Sequence, residues 1–230
     1  MNEEASQLMA PLIVQTIEDL LVVNKPAGLA TAGRSLHDIE CLQWEVSQRL
    51  DGRPVWAIHQ LDKDTSGLCL FTTRAQQVSR WADALRSGEK TYLAICHGGP
   101  TQRITDIFSP IGKKRMKNGR EIPAVVKTGK PAHSTVEVLQ RGANYSALRV
   151  RIHTGRTHQV RLHLASIGCP LVGERLHRQP PCLALDRHAL HAWTLRVSSG
   201  DGSTLRLTQP APPDLIEFAA EHHLELKARP

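Results

Sequence analysis

Side chains from Ser146 to His153 alternate in character, with Leu148, Val150 and Ile152 apolar and Arg149, Arg151 and His153 basic. That two-residue period predicts a strand with one buried face and one cationic face turned to solvent or to a ligand. Thr91 to Cys96 and Ser134 to Leu139 predict two more strands, and Ile17 to Asn24 a fourth that runs into a turn at Lys25-Pro26-Ala27-Gly28. Elsewhere the period lengthens. From Thr73 to Arg86 the residues Ala75, Val78, Ala82 and Leu85 recur at steps of three and four and Gly88 follows, which predicts an amphipathic helix. Thr157 to Ile167 predicts a second helix, with Val160, Leu164 and Ile167 on one face and a stop at Gly168-Cys169-Pro170. A third begins near Pro213-Asp214, with Glu217 as a capping partner and Leu215, Phe218 and Ala219 as its buried stripe. Strands and helices mix without regular βαβα alternation, so the expected class is α+β.

Composition places these elements in an ordinary globular chain: 230 residues, 40% hydrophobic and 22% charged, with no repeat or Gly/Ser linker to divide it. A single domain of catalytic size over 1–230 is expected, its core spanning about 17–223. The longest apolar runs, Leu20 to Val23 and Leu68 to Phe71, fall far short of the roughly 20 residues that span a bilayer. Neither a membrane span nor a signal peptide is expected. Lys plus Arg exceed Asp plus Glu by 29 to 22, a net +7 that favours an anionic partner such as nucleic acid. Five scattered cysteines without a Cys-x-x-Cys pair suit a reduced, cytoplasmic location. His188-x-x-His191 and His222-His223 lack carboxylate or thiol company at ligand spacing, so no metal is expected.

The densest polar cluster within an apolar frame runs from Ala57 to Leu68. On an extended backbone Asp62 and Asp64 would share a face. Asp64, directly before Thr65-Ser66-Gly67, suits a turn residue bonding nearby amides, whereas Asp62, set against Leu61, is the better candidate for acid chemistry. A second cluster, Thr154-Gly155-Arg156-Thr157-His158-Gln159-Val160-Arg161, forms a turn entering a helix. Its amides and cations suit either an RNA phosphate or a protein carboxylate.

His59-Gln60-Leu61-Asp62 with Thr65-Ser66-Gly67-Leu68 resembles the HRLD-x-x-TSGL signature of RluA-type pseudouridine synthases. The resemblance continues, in family order, through Val23 to Gly28, Lys90 to Ala94, Thr154 to Leu164, Gly168 to Gly173 and Leu190-His191-Ala192. It implies a pseudouridine synthase fold with a mixed, mainly antiparallel central sheet and flanking helices and loops. It also implies isomerisation of a uridine in tRNA or rRNA without a cofactor. By this resemblance Asp62 is the catalytic carboxylate, Arg161 its ion-pair partner, and Tyr92 the aromatic that stacks on uracil and aids proton transfer. His59, Gln60, Leu61, Arg156, His158 and Leu190 would contact substrate, Leu190 as pocket wall.

The chain departs from the pattern at Gln60, where the family usually carries arginine. Glutamine can hydrogen-bond an orphaned base but gives up charge and guanidinium stacking. The family's S4-like RNA-binding module is also expected to be missing. Contacts would then come from Lys113, Lys114, Arg115, Lys117 and Arg120, read as a basic loop between strands. Aromatics make up only 4% of the chain, which favours a folded stem-loop with one extruded uridine over serial stacking along a single strand. The expected partner is therefore structured RNA, bound by a monomer. Two alternatives compete. One is an RNA-binding protein of this fold with catalysis impaired by Gln60. The other is a glycoside hydrolase using Asp62 and Asp64, which would need an aromatic-rich cleft that four Trp, two Tyr and three Phe poorly supply.

Overall fold

The computed structural model describes residues 12–35, 38–198 and 203–226. The chain groups into two compact units, one running through Gly88 and including Ala192–Gln209, the other made of Glu89–His191 and the segment from Pro210 onward.

In the first unit, strands β1 (Leu12–Ile17), β2 (Leu20–Lys25) and β4 (Ser66–Thr72) pair antiparallel in that order, and the short β3 (Trp56–Ala57) also joins β4. β11 (Leu190–Ser198) continues the order beyond β4 and carries β12 (Thr204–Thr208) antiparallel. The predicted strand from Ile17 to Asn24 is observed as β2 from Leu20 onward, and its first three residues form the hairpin corner that leads in from β1. Ile17 closes β1, Glu18 takes φ 53°, and Asp19 leads into β2. Asp19 secures that corner by accepting the Thr72 hydroxyl at 2.5 Å and the Trp81 indole N–H at 3.0 Å. Every residue of β4 is buried, as a continuous apolar run covered on both faces requires. Gly67, at φ 109°, lies where a Cβ would run into the Ala192 backbone, so the glycine permits close approach of β4 and β11.

α1 (Leu42–Gln48) and α2 (Val78–Ser87) complete this unit, and a single 3-10 turn (Ala75–Gln77) precedes α2. That turn takes Ala75 off the predicted stripe. Ala75 is exposed and Val78 only half-buried, while Trp81 and Leu85 face the core formed by Leu20, Val22, Leu68, Leu70, Leu195 and Val197. Each such fully buried side chain contributes ~1.5–3 kcal/mol relative to exposure.

The second unit contains β5 (Glu89–His97), β10 (Tyr145–Ile152), β9 (Ser134–Arg141) and β6 (Ile104–Ile107), antiparallel neighbours in that order. A separate hairpin joins β7 (Ile111–Arg115) to β8 (Glu121–Val125). The apolar residues of β10 are buried as predicted, but its cations are partly answered within the sheet. Arg149 reaches Glu137, its register partner on β9, at 3.1 Å, and Arg151 reaches Glu89 at 3.3 Å. α3 (Gln159–Ser166) does not show a single apolar stripe: Gln159 to Leu164 are all buried. α4 (Pro213–Glu221) buries Leu215, Phe218 and Ala219 as predicted. Its start differs from the predicted capping box. Pro212 is the N-cap, and Asp214 pairs with Arg187 at 2.6 Å.

Candidate active site

Asp62 is half-buried in the loop between β3 and β4. This segment is a turn and not an extended strand, since the Thr65 amide donates to the Asp62 carbonyl at 3.0 Å. Asp62 and Asp64 therefore do not share a face by strand alternation, and Asp64 occupies the turn position the sequence suggested. Residues 25–31 hold the loop. Leu61 donates its N–H to the Thr31 hydroxyl at 3.0 Å, and that hydroxyl donates back to the Leu61 carbonyl at 3.0 Å. The Lys63 carbonyl accepts the Gly28 amide at 3.0 Å and the Lys25 ammonium at 2.7 Å. Lys25 is fully buried, and its Nζ also donates to the carbonyls of Pro26 at 2.8 Å and Leu29 at 2.6 Å. Three carbonyl acceptors match the three N–H bonds of an ammonium and offset part of the cost of burying it.

The other residues predicted in this stretch divide by environment. His59 is half-buried, and its Nε2 accepts the Leu70 amide at 3.1 Å, tying the ring to β4. Leu61 is buried. Gln60 is exposed and, with Gly28, Ala32, Arg34, Asp38 and Lys63, lines an open cleft of ≈ 680 Å³.

In the second unit, Arg161 is buried on α3, and Glu174, which the sequence reading missed, takes one edge of its guanidinium in a two-pronged contact. Nε donates to Oε2 at 2.8 Å and Nη2 to Oε1 at 2.9 Å. The Glu174 Oε1 also accepts the amides of Leu176 at 2.9 Å and His177 at 3.0 Å. Burial alone would raise the Glu174 pKa, but hydrogen bonds and charge from Arg161, with the two amides, pull it down to about 2. The signal for Glu174 was present in the sequence, because an arginine inside an apolar helix requires a counter-charge and a carboxylate directly follows Gly173.

His158, the N-cap of α3, adopts a left-handed φ of 56° and places Nδ1 2.8 Å from Nε2 of His177. The Gly155 turn is braced from within, while the anion that answers Arg161 is a protein carboxylate, one of the two the sequence allowed. The Gln159 carboxamide oxygen accepts the Arg156 amide at 3.0 Å and the Thr154 hydroxyl at 2.7 Å, while its NH2 donates to the His133 carbonyl and the Ser134 hydroxyl, each at 2.9 Å. The Arg156 guanidinium donates to the Pro131 carbonyl at 3.0 Å. Tyr92 lies on β5, 9% exposed and opposite Val150. Leu190 is buried, and its carbonyl accepts Arg187 Nη1 at 3.1 Å.

The predicted basic loop is a hairpin. Lys113, Lys114 and Arg115 lie on β7, Lys117 and Arg120 in its turn, all exposed, with Lys113 paired to Glu121 at 3.0 Å. The adjacent positive charges arise because the short hairpin strands have almost no buried face. All five cysteines are buried and unbridged, and burial pushes the Cys69 and Cys96 thiols up to about 12. Among the described residues, no helix is long and apolar enough to cross a membrane.

One group brings potential metal ligands together. Asp106, His133 and His153 have ligand atoms within 4.8 Å of one another. The two imidazoles are stacked at 4.0 Å with an interplanar angle of 10°. An ion is bound in the plane of each ring, and near-parallel planes share no such point, so the donors do not fit a metal as they stand.

Residues 19–166 match the model of the family described as RNA pseudouridylate synthase. Ribosomal large subunit pseudouridine synthase D of Pseudomonas aeruginosa is 33% identical over 224 residues, covering 89% of this chain and 69% of that protein. Ribosomal large subunit pseudouridine synthase C of Pasteurella multocida is 29% identical over 221 residues, covering 92% and 68%. Among solved structures, human RNA pseudouridylate synthase domain containing 1 matches with a TM-score of 0.76 at 25% identity, covering 92% of this chain and 88% of that one.

Proposed function

The chain belongs to the RNA pseudouridylate synthase family, and from that premise we propose that it isomerises a uridine in folded large-subunit ribosomal RNA with Asp62 as the catalytic carboxylate. The choice of RNA follows the ribosomal large subunit named for both bacterial relatives. The reaction breaks the bond between C1′ and N1, turns the uracil while it stays bound, and joins C5 to C1′. The proton that leaves C5 is balanced by one gained at N1. Asp62 acts as nucleophile at C1′ or as the base that removes the C2′ proton, and either role needs it ionised and aimed.

The observation that carries the assignment is the anchoring of the backbone on both sides of Asp62, at Leu61 by Thr31 and at Lys63 by Lys25 and Gly28. A loop held at its flanking residues presents its side chain with little reorganisation, as preorganised catalysis requires. Arg161, its orientation held by Glu174, is assigned as the cation that partners the Asp62 carboxylate. Tyr92 stacks on the uracil and assists departure of the C5 proton. Leu190 forms pocket wall, His59, Leu61, Arg156 and His158 shape the substrate site, and Gln60 hydrogen-bonds the partner left by the extruded uridine. The hairpin cations Lys113, Lys114, Arg115, Lys117 and Arg120 attract phosphates. The setting is the cytoplasm, where ribosomal RNA of this kind is made.

Purified protein incubated with unmodified large-subunit ribosomal RNA is expected to form pseudouridine at a defined position. Asp62→Asn should abolish product while leaving the fold intact, and Asp64→Asn should do far less damage. Equal product from Asp62→Asn would overturn the assignment.

A further inference from the structure

We infer that Phe108, His133 and His153 form a stacking platform for one unpaired base of the bound RNA, an inference that rests on the reading of the chain as an enzyme acting on RNA. Register sets the three rings in a row. Ile107 on β6 pairs with Ser134 on β9, which pairs with Ile152 on β10. One residue further along each strand come Phe108, His133 and His153, and the His153 amide donates to the His133 carbonyl at 3.0 Å. Neighbouring strands lie about 4.8 Å apart, so one ring per strand on the same face falls naturally into a column. The rings do stack: Phe108 on His133 at 4.2 Å and 17°, His133 on His153 at 4.0 Å and 10°.

The column is held in place from the side. His133 Nε2 lies 2.8 Å from Asp106 Oδ1, the Thr135 hydroxyl donates to the same oxygen at 2.6 Å, and Thr135 Oγ1 lies 2.9 Å from His153 Nε2. These contacts fix the planes of both imidazoles, so the stack exists before any ligand arrives. Its outer member is the least covered. β6 ends the strand order among the described residues, and Phe108, just beyond that strand, is 68% exposed. Such an aromatic, backed by two further rings, offers a flat face onto which a nucleobase can continue the stack.

Charge favours the same ligand. Ser109 and Pro110 alone separate Phe108 from β7, whose exposed Lys113, Lys114 and Arg115 would hold the flanking phosphates. The platform takes a single base, which accords with a chain only 4% aromatic.

The test uses the full chain and a mixed-sequence, single-stranded oligoribonucleotide of roughly 12 nucleotides bearing 2-aminopurine near its centre. Wild-type protein should quench the 2-aminopurine fluorescence as the base stacks. Phe108→Ala should lose the quenching and bind about tenfold more weakly, and Phe108→Trp should keep both. Unchanged quenching and affinity in Phe108→Ala overturn the platform. If wild-type protein then still forms pseudouridine, the platform falls alone; if it neither binds RNA nor forms product, the assignment to RNA falls with it.

Discussion

Replacing Glu174 by glutamine preserves shape but removes the charge that Arg161 relies on. The carboxylate receives four N–H groups, two from the guanidinium and two from the Leu176 and His177 amides. In the variant the amide oxygen can keep the two backbone donors. The new NH2 then faces the Arg161 Nε–H, donor against donor, and a buried cation is left short of its counter-charge. Breaking a buried pair this way costs about 3–5 kcal/mol. Titration gives a consistent figure: a carboxylate drawn from its ordinary 4.5 down to about 2 carries on the order of 3 kcal/mol of folding free energy at neutral pH. The sign follows from protons. Between those two values the unfolded chain binds more of them, so this stabilisation is complete above 4.5 and drains away as pH falls through 2. Urea unfolding followed by circular dichroism should show Glu174→Gln with a lowered midpoint and unchanged slope at pH 7. Its further loss towards acid should be smaller than that of the wild type. Turnover should fall more than RNA affinity, because the guanidinium loses its orientation. A variant with the wild-type midpoint at pH 7 and the same acid profile would refute this account.

Lys25→Met should destabilise by about 2–5 kcal/mol in chemical denaturation, because the Pro26 and Leu29 carbonyls lose their ammonium while the Lys63 carbonyl keeps the Gly28 amide. A variant as stable as wild type would mean that the desolvation cost of the ammonium equals what its hydrogen bonds return. Lys114→Glu combined with Lys117→Glu should weaken RNA binding and flatten its dependence on log salt by about 0.7–0.9 for each phosphate no longer neutralised. An unchanged slope would place the RNA elsewhere.

Elements with a strong period were readable from the sequence, as at β10 and α4, because burial on one face imprints itself directly on residue choice. α2 was found with Leu85 and Ala82 against the core as expected; Ala75 falls outside because it lies in the preceding 3-10 turn, and Trp81, on the same face, was left out of the stripe. The hairpin β7–β8 read as a loop because strands with little buried face leave no alternation to detect. In the family signature, Gly67 has a local physical reason, the approach of Ala192. Lys25 read as a turn residue because its role depends on carbonyls contributed from as far away as position 63. The ring column was invisible for the same reason: Phe108, His133 and His153 are far apart in sequence and meet only through register.

The burial of α3 along Gln159 to Leu164 has a consequence for how such an enzyme can change its target. Each of those six side chains is packed or hydrogen-bonded, so diversification there would be purged for loss of folding before any new specificity could be selected. Gln60 and the turn of the β7–β8 hairpin face solvent and tolerate exchange. Libraries meant to redirect the enzyme to another RNA belong at those exposed positions, with the helix held constant.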